Sequence, residues 1–321
     1  MTQLDTTPRR RWIGQAELVA LAALAVMLGQ HWVRQALDGE ALRTWCTMFV
    51  AVVVQSTPFL VAGVLLSASI SRFLSEGALR RLIPENPVLA VPVAGIAGVG
   101  LPGCECAAVP VADGLMRRGL HQAAALTFLL AAPAVNPAVI VSTAVAFRGN
   151  HAMVFARVGA SLVTAILVGW WCLARGDRLR LEQRARVHEH EETFLGAALH
   201  DFLYAGGFLV IGAMAAAAIN TFVPPRILDA VAGHALLGAL ALGAFAFVAA
   251  LCSESDAFVA ASLTSFSDSA KLVFLVVGPA MDIKLASMES GQFGIGFARE
   301  FVPVVLVVAV LTALTAGWIL L

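Results

Sequence analysis

Charge is what this chain has least of. Only 13% of its 321 residues are Asp, Glu, Lys or Arg, 60% are hydrophobic, and the mean hydropathy is +0.85. Soluble domains carry roughly 25% charged residues, so a water-soluble globular protein is excluded. Neither sign is in excess, because 21 Lys and Arg balance 21 Asp and Glu. Nothing therefore points to nucleic acid or an acidic partner. Cysteine is scarce and odd in number: Cys46, Cys104, Cys106, Cys172 and Cys252. Most lie in apolar segments, which argues against a secreted disulfide framework. The first apolar segment lacks a clear small-residue cleavage site, so it is expected to stay as a span or signal anchor. There is no nucleotide-binding loop and no cofactor motif, so no cofactor is expected and pumping would be ion-coupled or depend on a partner.

What fills the chain instead is a series of apolar runs long enough to cross a bilayer. They predict an all-α polytopic membrane protein. Span 1 is placed at about 16–37, span 2 at 44–70, span 3 at 120–147, span 4 at 152–174, span 5 at 196–222, span 6 at 270–288 and span 7 at 297–321. Two further apolar stretches, 88–116 and 230–266, are interrupted. Each arm of the first is about 14 residues, or ~20 Å of helix, short of the ~30 Å hydrocarbon core. That predicts a helical hairpin whose tip, at Pro102-Gly103, reaches the middle of the membrane. Span 3 is expected to break at Pro133 and Pro137 around Asn136, and span 6 at Pro279. The most charged segment, 175–195, contains Arg175, Arg178, Arg180, Arg184 and Arg186 and then His188-Glu189-His190. It is expected to be a cytoplasmic linker, giving four parts: a tail and extra span (1–43), a first repeat (44–174), the linker, and a second repeat (196–321).

The two halves match in order. Phe59-Leu60-Val61-Ala62-Gly63 recurs as Phe208-Leu209-Val210-Ile211-Gly212, and the same offset sets Cys104-Glu105-Cys106 against Ser253-Glu254-Ser255. After a shorter loop, Pro133, Ala134 and Asn136 match Pro279, Ala280 and Asp282, and Phe155-Ala156-Arg157 recurs as Phe297-Ala298-Arg299. Cytoplasmic placement of Arg9–Arg11, the 72–81 loop, Arg117-Arg118 and the linker fixes the topology. Span 2 then starts outside and span 5 inside, so the repeats are inverted and their hairpins enter from opposite faces. Interrupted helices in inverted repeats mark secondary transporters. Full crossing of both hairpins would keep the sidedness and raise seven spans to eleven.

Acids inside apolar sequence are functional candidates by default. Glu105 and Glu254 occupy equivalent places, and Asp256 adds a third carboxylate near the second tip. Buried carboxylates can cycle a proton, which suits proton-coupled transport. Asp113 is the weaker candidate, near the cytoplasmic end. Cys104 and Cys106 offer two soft sulfurs one residue apart, suited to a thiophilic metal or metalloid or to disulfide exchange, or packed simply as small residues. The second half keeps one sulfur, Cys252, so symmetric thiol ligation is excluded. Asn136 and Asp282 sit where proline frees helix carbonyls. Lys284 is expected to pair with Asp282 or to sit at the cytoplasmic interface. Gln55, Ser56 and Thr57 are pathway candidates, or hydroxyls bonded to their own helix.

These motifs together resemble the YraQ-like predicted permeases. The resemblance is carried by Cys104-Glu105-Cys106 with Val109-Pro110, by Phe128 to Pro137, by Leu251 to Phe258 and by Phe274 to Pro279, and it spans about 45–321. It implies a permease of the bacterial inner membrane, in a family that includes organoarsenical efflux permeases. The expected function is a multi-pass secondary transporter moving a small solute or a metal or metalloid, coupled to protons through Glu105 or Glu254, and not an enzyme. Its expected partners are the lipid bilayer and a small solute or ion; a homo-oligomer is compatible with it. The alternatives are a thiol redox enzyme using Cys104 and Cys106, which lacks the usual two-residue spacing, and a channel.

Overall fold

In a computed structural model of the chain, residues 40–73, 83–84, 86–100, 105–176, 194–222 and 234–321 are described, and every element among them is helical. The expected span 1, the Pro102-Gly103 break, Cys104 and the charged linker lie outside the described residues. The first half holds α1 (Glu40–Phe73), α2 (Pro87–Ala97) with a 3-10 turn, α3 (Glu105–Arg117), α4 (Gln122–Val135), α5 (Pro137–Ala146) and α6 (His151–Arg175). The second holds α7 (Phe194–Phe222), α8 (Ala235–Ala249), α9 (Ser253–Ser262), α10 (Asp268–Ala280), α11 (Ile283–Phe293) and α12 (Ile295–Leu320). Long helix, two short helices, broken helix, long helix: the same succession occurs twice among the described residues.

Five helical stretches among the described residues are long and apolar enough to cross a membrane: Ala41–Ile70, Gln122–Ala146, His151–Arg175, Ala198–Thr221 and Ile295–Leu320. They coincide with expected spans 2, 3, 4, 5 and 7. The expected span 6 is not among them. Its helices α10 and α11 carry Asp268, Lys271, Lys284 and Glu289, too much charge for a lipid-facing span. Burial resolves the conflict, because Leu272 to Ala280 are buried without interruption. Its counterpart α4 is likewise buried from Ala123 to Val135. A helix apolar on every side belongs in the centre of a bundle. There α4 packs on α2, α3 and α6, α10 packs on α8, α9 and α12, and the two touch each other.

The first break falls at Asn136, between Pro133 and Pro137 as expected, and the second falls just past Pro279. Pro133 lies inside α4, which runs on to Val135; the chain becomes extended at Asn136 (ψ 153°), and Pro137 opens α5. Proline is favoured in a first helical turn and pushes its predecessor out of the helical region, so Pro137 sets the break. Pro279 is likewise internal to α10, and the break comes at Met281 and Asp282. In both cases the proline removes one hydrogen bond within a buried helix, and packing carries the helix another turn.

Small residues set the closest contacts, as expected where helices meet without a hydrophobic drive. A Cβ on Gly63 would lie 2.6 Å from the Ala107 Cα of α3, and one on Gly212 would lie 2.6 Å from the Lys284 Cα of α11. These glycines match in sequence, yet they meet non-equivalent helices. The long helices α1 and α7, which also pack on each other, therefore depart from the correspondence that the other elements keep.

Candidate substrate and ion site where the helix breaks meet

Four short helices begin in the interior: α3, α5, α9 and α11. A helix N-terminus carries unsatisfied N–H groups and about half a positive charge. Each of these starts beside an acid or amide. Asn136 Oδ1 accepts from Val139 N at 2.8 Å, and Asp282 Oδ1 accepts from Leu285 N at 2.5 Å. Glu105 lies in the first turn of α3, and Glu254 and Asp256 in the first turn of α9. The extended backbone at residues 136 and 282 thus has a local cause in capping.

The starts of α3 and α11 are joined by charge. Lys284 Nζ donates to Glu105 Oε1 at 2.6 Å, with both side chains about 1% exposed, and lies 3.7 Å from Asp282 Oδ2. Lys284 is therefore internal and not at an interface, and its first partner is Glu105. Glu105 Oε2 accepts from Ser253 Oγ at 3.3 Å, so the first turns of α3 and α9 touch directly. Cys106, in the first turn of α3, and Cys252, at the N-cap of α9, are both buried. Glu254 is half-buried and makes no ion pair among the described residues.

A second buried cation holds α5, α6 and α9 together. Arg157 Nη1 donates to Thr143 Oγ1 at 2.8 Å, and Nη2 donates to the Ser253 carbonyl at 2.9 Å and faces Asp256 Oδ2 at 3.6 Å. Gly278 of α10 leaves the space that the Asp256 carboxylate fills, since a Cβ there would lie 3.0 Å from Asp256 Oδ2. Two buried cations thus face three fully buried acids, with the helix N-termini adding partial positive charge. This arrangement can hold an ion or polar solute by exchanging one of its internal pairs for a contact to the ligand.

Of the residues singled out in the sequence, Glu105, Cys106, Asn136, Cys252, Glu254, Asp256 and Asp282 all lie at these helix starts. Cys104 is outside the described residues, and no three His, Cys, Asp or Glu side chains among those described converge as a metal site. Asp113 pairs with Arg117 at the far end of α3. Gln55 Nε2 reaches Ser255 Oγ at 3.4 Å, whereas Thr57 donates back to Val53 O at 2.6 Å. In the sequence Arg157 stands out only as a repeat marker, and Glu289 does not stand out. The signal for both was a charge inside an apolar run.

A multi-pass helical protein with fully buried, paired charges at helix breaks is built as membrane transport proteins are. The comparisons give the family. A family model described as "Predicted permease" matches residues 41–318, and the chain belongs to that family. It is 34% identical over 258 residues to the UPF0718 protein YcgR of Bacillus subtilis, covering 77% of this chain and 88% of that protein. It is 27% identical over 282 residues to a Streptococcus mutans protein named "Putative two-component membrane permease complex subunit", covering 84% of this chain and 94% of that one. No solved structure matches the chain.

Proposed function

We propose that this permease is a secondary transporter of two inverted repeats, 44–174 and 196–321, which moves a small solute or a metal or metalloid between hairpins α2–α3 and α8–α9. Residues 1–43 are an added tail and span, and 175–195 a cytoplasmic linker. The observation that carries the reading is the contact of Glu105 with both Ser253 and Lys284, which joins two hairpin starts and a helix break at one buried point.

Contacts between helix ends support the inversion. At one end Trp170 Nε1 donates to Val88 O at 3.1 Å, Arg175 meets Glu300 at 3.9 Å, and Tyr204 Oη donates to Gly291 O at 2.7 Å. These gather the start of α2, the end of α6 and the start of α12, and set the end of α11 against the first half of α7. Asn150 Nδ2 donates to Asp268 Oδ2 at 3.3 Å, which sets the start of α6 beside the start of α10 at the other end. Arg175 lies at the first end, and Arg117 and Arg118 close α3 there, which makes that end cytoplasmic. The hairpin α2–α3 then opens to the cytoplasm and α8–α9 to the opposite face.

In the proposed cycle a proton on Glu105 frees Lys284, and the half-buried Glu254 is the acid in contact with the open side. Substrate and proton alternate at the paired helix starts while the hairpins exchange access. Self-association, or assembly with a second subunit as the Streptococcus relative's name states for that protein, is read from the mass of the protein extracted in native lipid. The function is tested in proteoliposomes carrying an imposed pH gradient, with a panel of trivalent arsenicals and divalent metal ions as probes. Accumulation of one probe by wild type, lost in Glu105→Gln and Glu254→Gln at equal protein levels, is the expected result. Equal accumulation in wild type and both variants contradicts proton coupling through these acids. Flux that never saturates favours a channel.

A further inference from the structure

One buried acid has no place in that network. Glu289 on α11 is fully buried, and neither of its carboxylate oxygens has a hydrogen-bond partner. It lies seven residues beyond Asp282, nearly two full turns, so the two share a side of α11 about 10 Å apart along the axis. The opposite side of α11 is sealed by α7, where Ser287 Oγ donates to Phe208 O at 2.9 Å and a Cβ on Gly291 would strike the Phe208 ring.

The equivalent position in the first half is Thr143, seven residues beyond its own capping side chain, Asn136. There the buried Arg157 supplies the positive charge. Arg299, the sequence match of Arg157, is exposed on α12 and makes no ion pair with Glu289. The other charged groups on helices packed against α11 are engaged or remote. Glu105 holds Lys284, Asp113 holds Arg117, and Glu300 faces Arg175. His200, Asp201 and Tyr204 on α7 make no hydrogen bond to Glu289. An isolated carboxylate is not stable in such surroundings, so a cation must accompany it.

We infer that Glu289 is a proton-binding site, placed between the central Lys284–Asp282–Glu105 cluster and the end of the bundle where α11 meets α12. Its proton takes the part that Arg157 plays in the first half. Loss of that proton puts a second negative charge on α11 beside Asp282. At about 10 Å and an effective dielectric of about 20, one unit charge shifts a neighbouring equilibrium by on the order of tenfold, here toward Lys284 leaving Glu105 for α11. Proton occupancy of Glu289 thereby biases the central ion pair. The location of the site stands on its own; only this consequence rests on the transporter reading.

The test is infrared difference spectroscopy of the full-length protein in lipid nanodiscs at neutral pH, in H2O and D2O, reading the carboxylic-acid C=O stretch. The expected result is an acid band that shifts in D2O, disappears in Glu289→Gln and persists in Glu105→Gln, Glu254→Gln and Arg299→Gln. Should the Gln variant fail to fold, Glu289→Asp must move the band. A Glu289→Gln spectrum identical to wild type, a band that never exchanges in D2O, or a band seen only in Arg299→Gln overturns the proposal. A wild-type band lost in Glu289→Gln, alongside unchanged transport in Glu105→Gln and Glu254→Gln, would keep the proton site and reject the coupling.

Discussion

Replacing Lys284 with Met tests the centre of the site. The side chain keeps similar length and loses its charge. Lys284 and Glu105 are 2.6 Å apart and about 1% exposed. At an effective dielectric of about 20 their gross attraction is about 6 kcal/mol, and the cost of removing both from water offsets most of it. The net value of the intact pair is therefore small. Removing one partner is different, because Glu105 and Asp282 stay buried with no cation at 2.6 and 3.7 Å. That loss costs about 3–5 kcal/mol. For a chain of this size it lowers the thermal midpoint by on the order of 10 °C. The double variant Lys284→Met with Glu105→Gln removes both charges and should recover at least half of that. The assay is the midpoint of loss of the monodisperse peak in size-exclusion chromatography after heating. A single variant within roughly 2 °C of wild type, or a double variant no better than the single, refutes the pair as the organising contact.

Arg157→Met should destabilise by a similar amount, about 3–5 kcal/mol, because Asp256 loses its counter-charge and the Ser253 carbonyl its donor, and pairing it with Asp256→Asn should restore part of it. Asp282→Asn keeps an oxygen for the Leu285 amide, so its stability should stay close to wild type, whereas Asp282→Ala should lose about 1 kcal/mol of cap; both are read by the same heating assay. Gly63→Leu and Gly212→Leu should each prevent accumulation of folded protein, since even a Cβ falls 2.6 Å from a backbone atom of the facing helix, while Gly159→Ala, with open space around it, should be tolerated.

The sequence disclosed much of this and missed some of it for reasons that can be named. Helix lengths were legible, because apolar runs must match a bilayer and polar turns must lie outside it. The α10–α11 segment reads as a span broken at Pro279, but its burial is not legible in the sequence: its hydropathy is set by packing among other helices, not by lipid, which is how it carries Lys284 and Glu289. The first break is legible to the residue, at Asn136 before Pro137, whereas the second falls at Met281 and Asp282, past Pro279, because a buried helix tolerates one lost hydrogen bond and the next good cap ends it. The acids of the helix starts were found by their rarity in apolar sequence. Their cations were legible only in part: the expected Lys284–Asp282 pair is local and present at 3.7 Å, whereas the pairing of Lys284 with Glu105 and the role of Arg157, across about 180 and 100 residues of chain, depend on how the halves pack. The non-equivalent packing of α1 and α7 was hidden for the same reason, because Phe59–Gly63 and Phe208–Gly212 read alike and only the helices they meet differ.

In the proposed transporter, two hairpins of opposite sidedness bring Glu105 and Glu254 to one gradient-driven site. Uptake by oriented proteoliposomes under an imposed pH gradient, combined with impermeant thiol labelling, tests this. The labelled positions are single cysteines at Gly119, where the first hairpin returns, and at Thr264, where the second returns, in a background without native cysteine. Residue 119 should be labelled from the cytoplasmic side and residue 264 from the opposite side. Probe accumulation should collapse in Glu105→Gln and Glu254→Gln. Labelling of both positions from one side, or accumulation that both variants retain, would contradict the proposal.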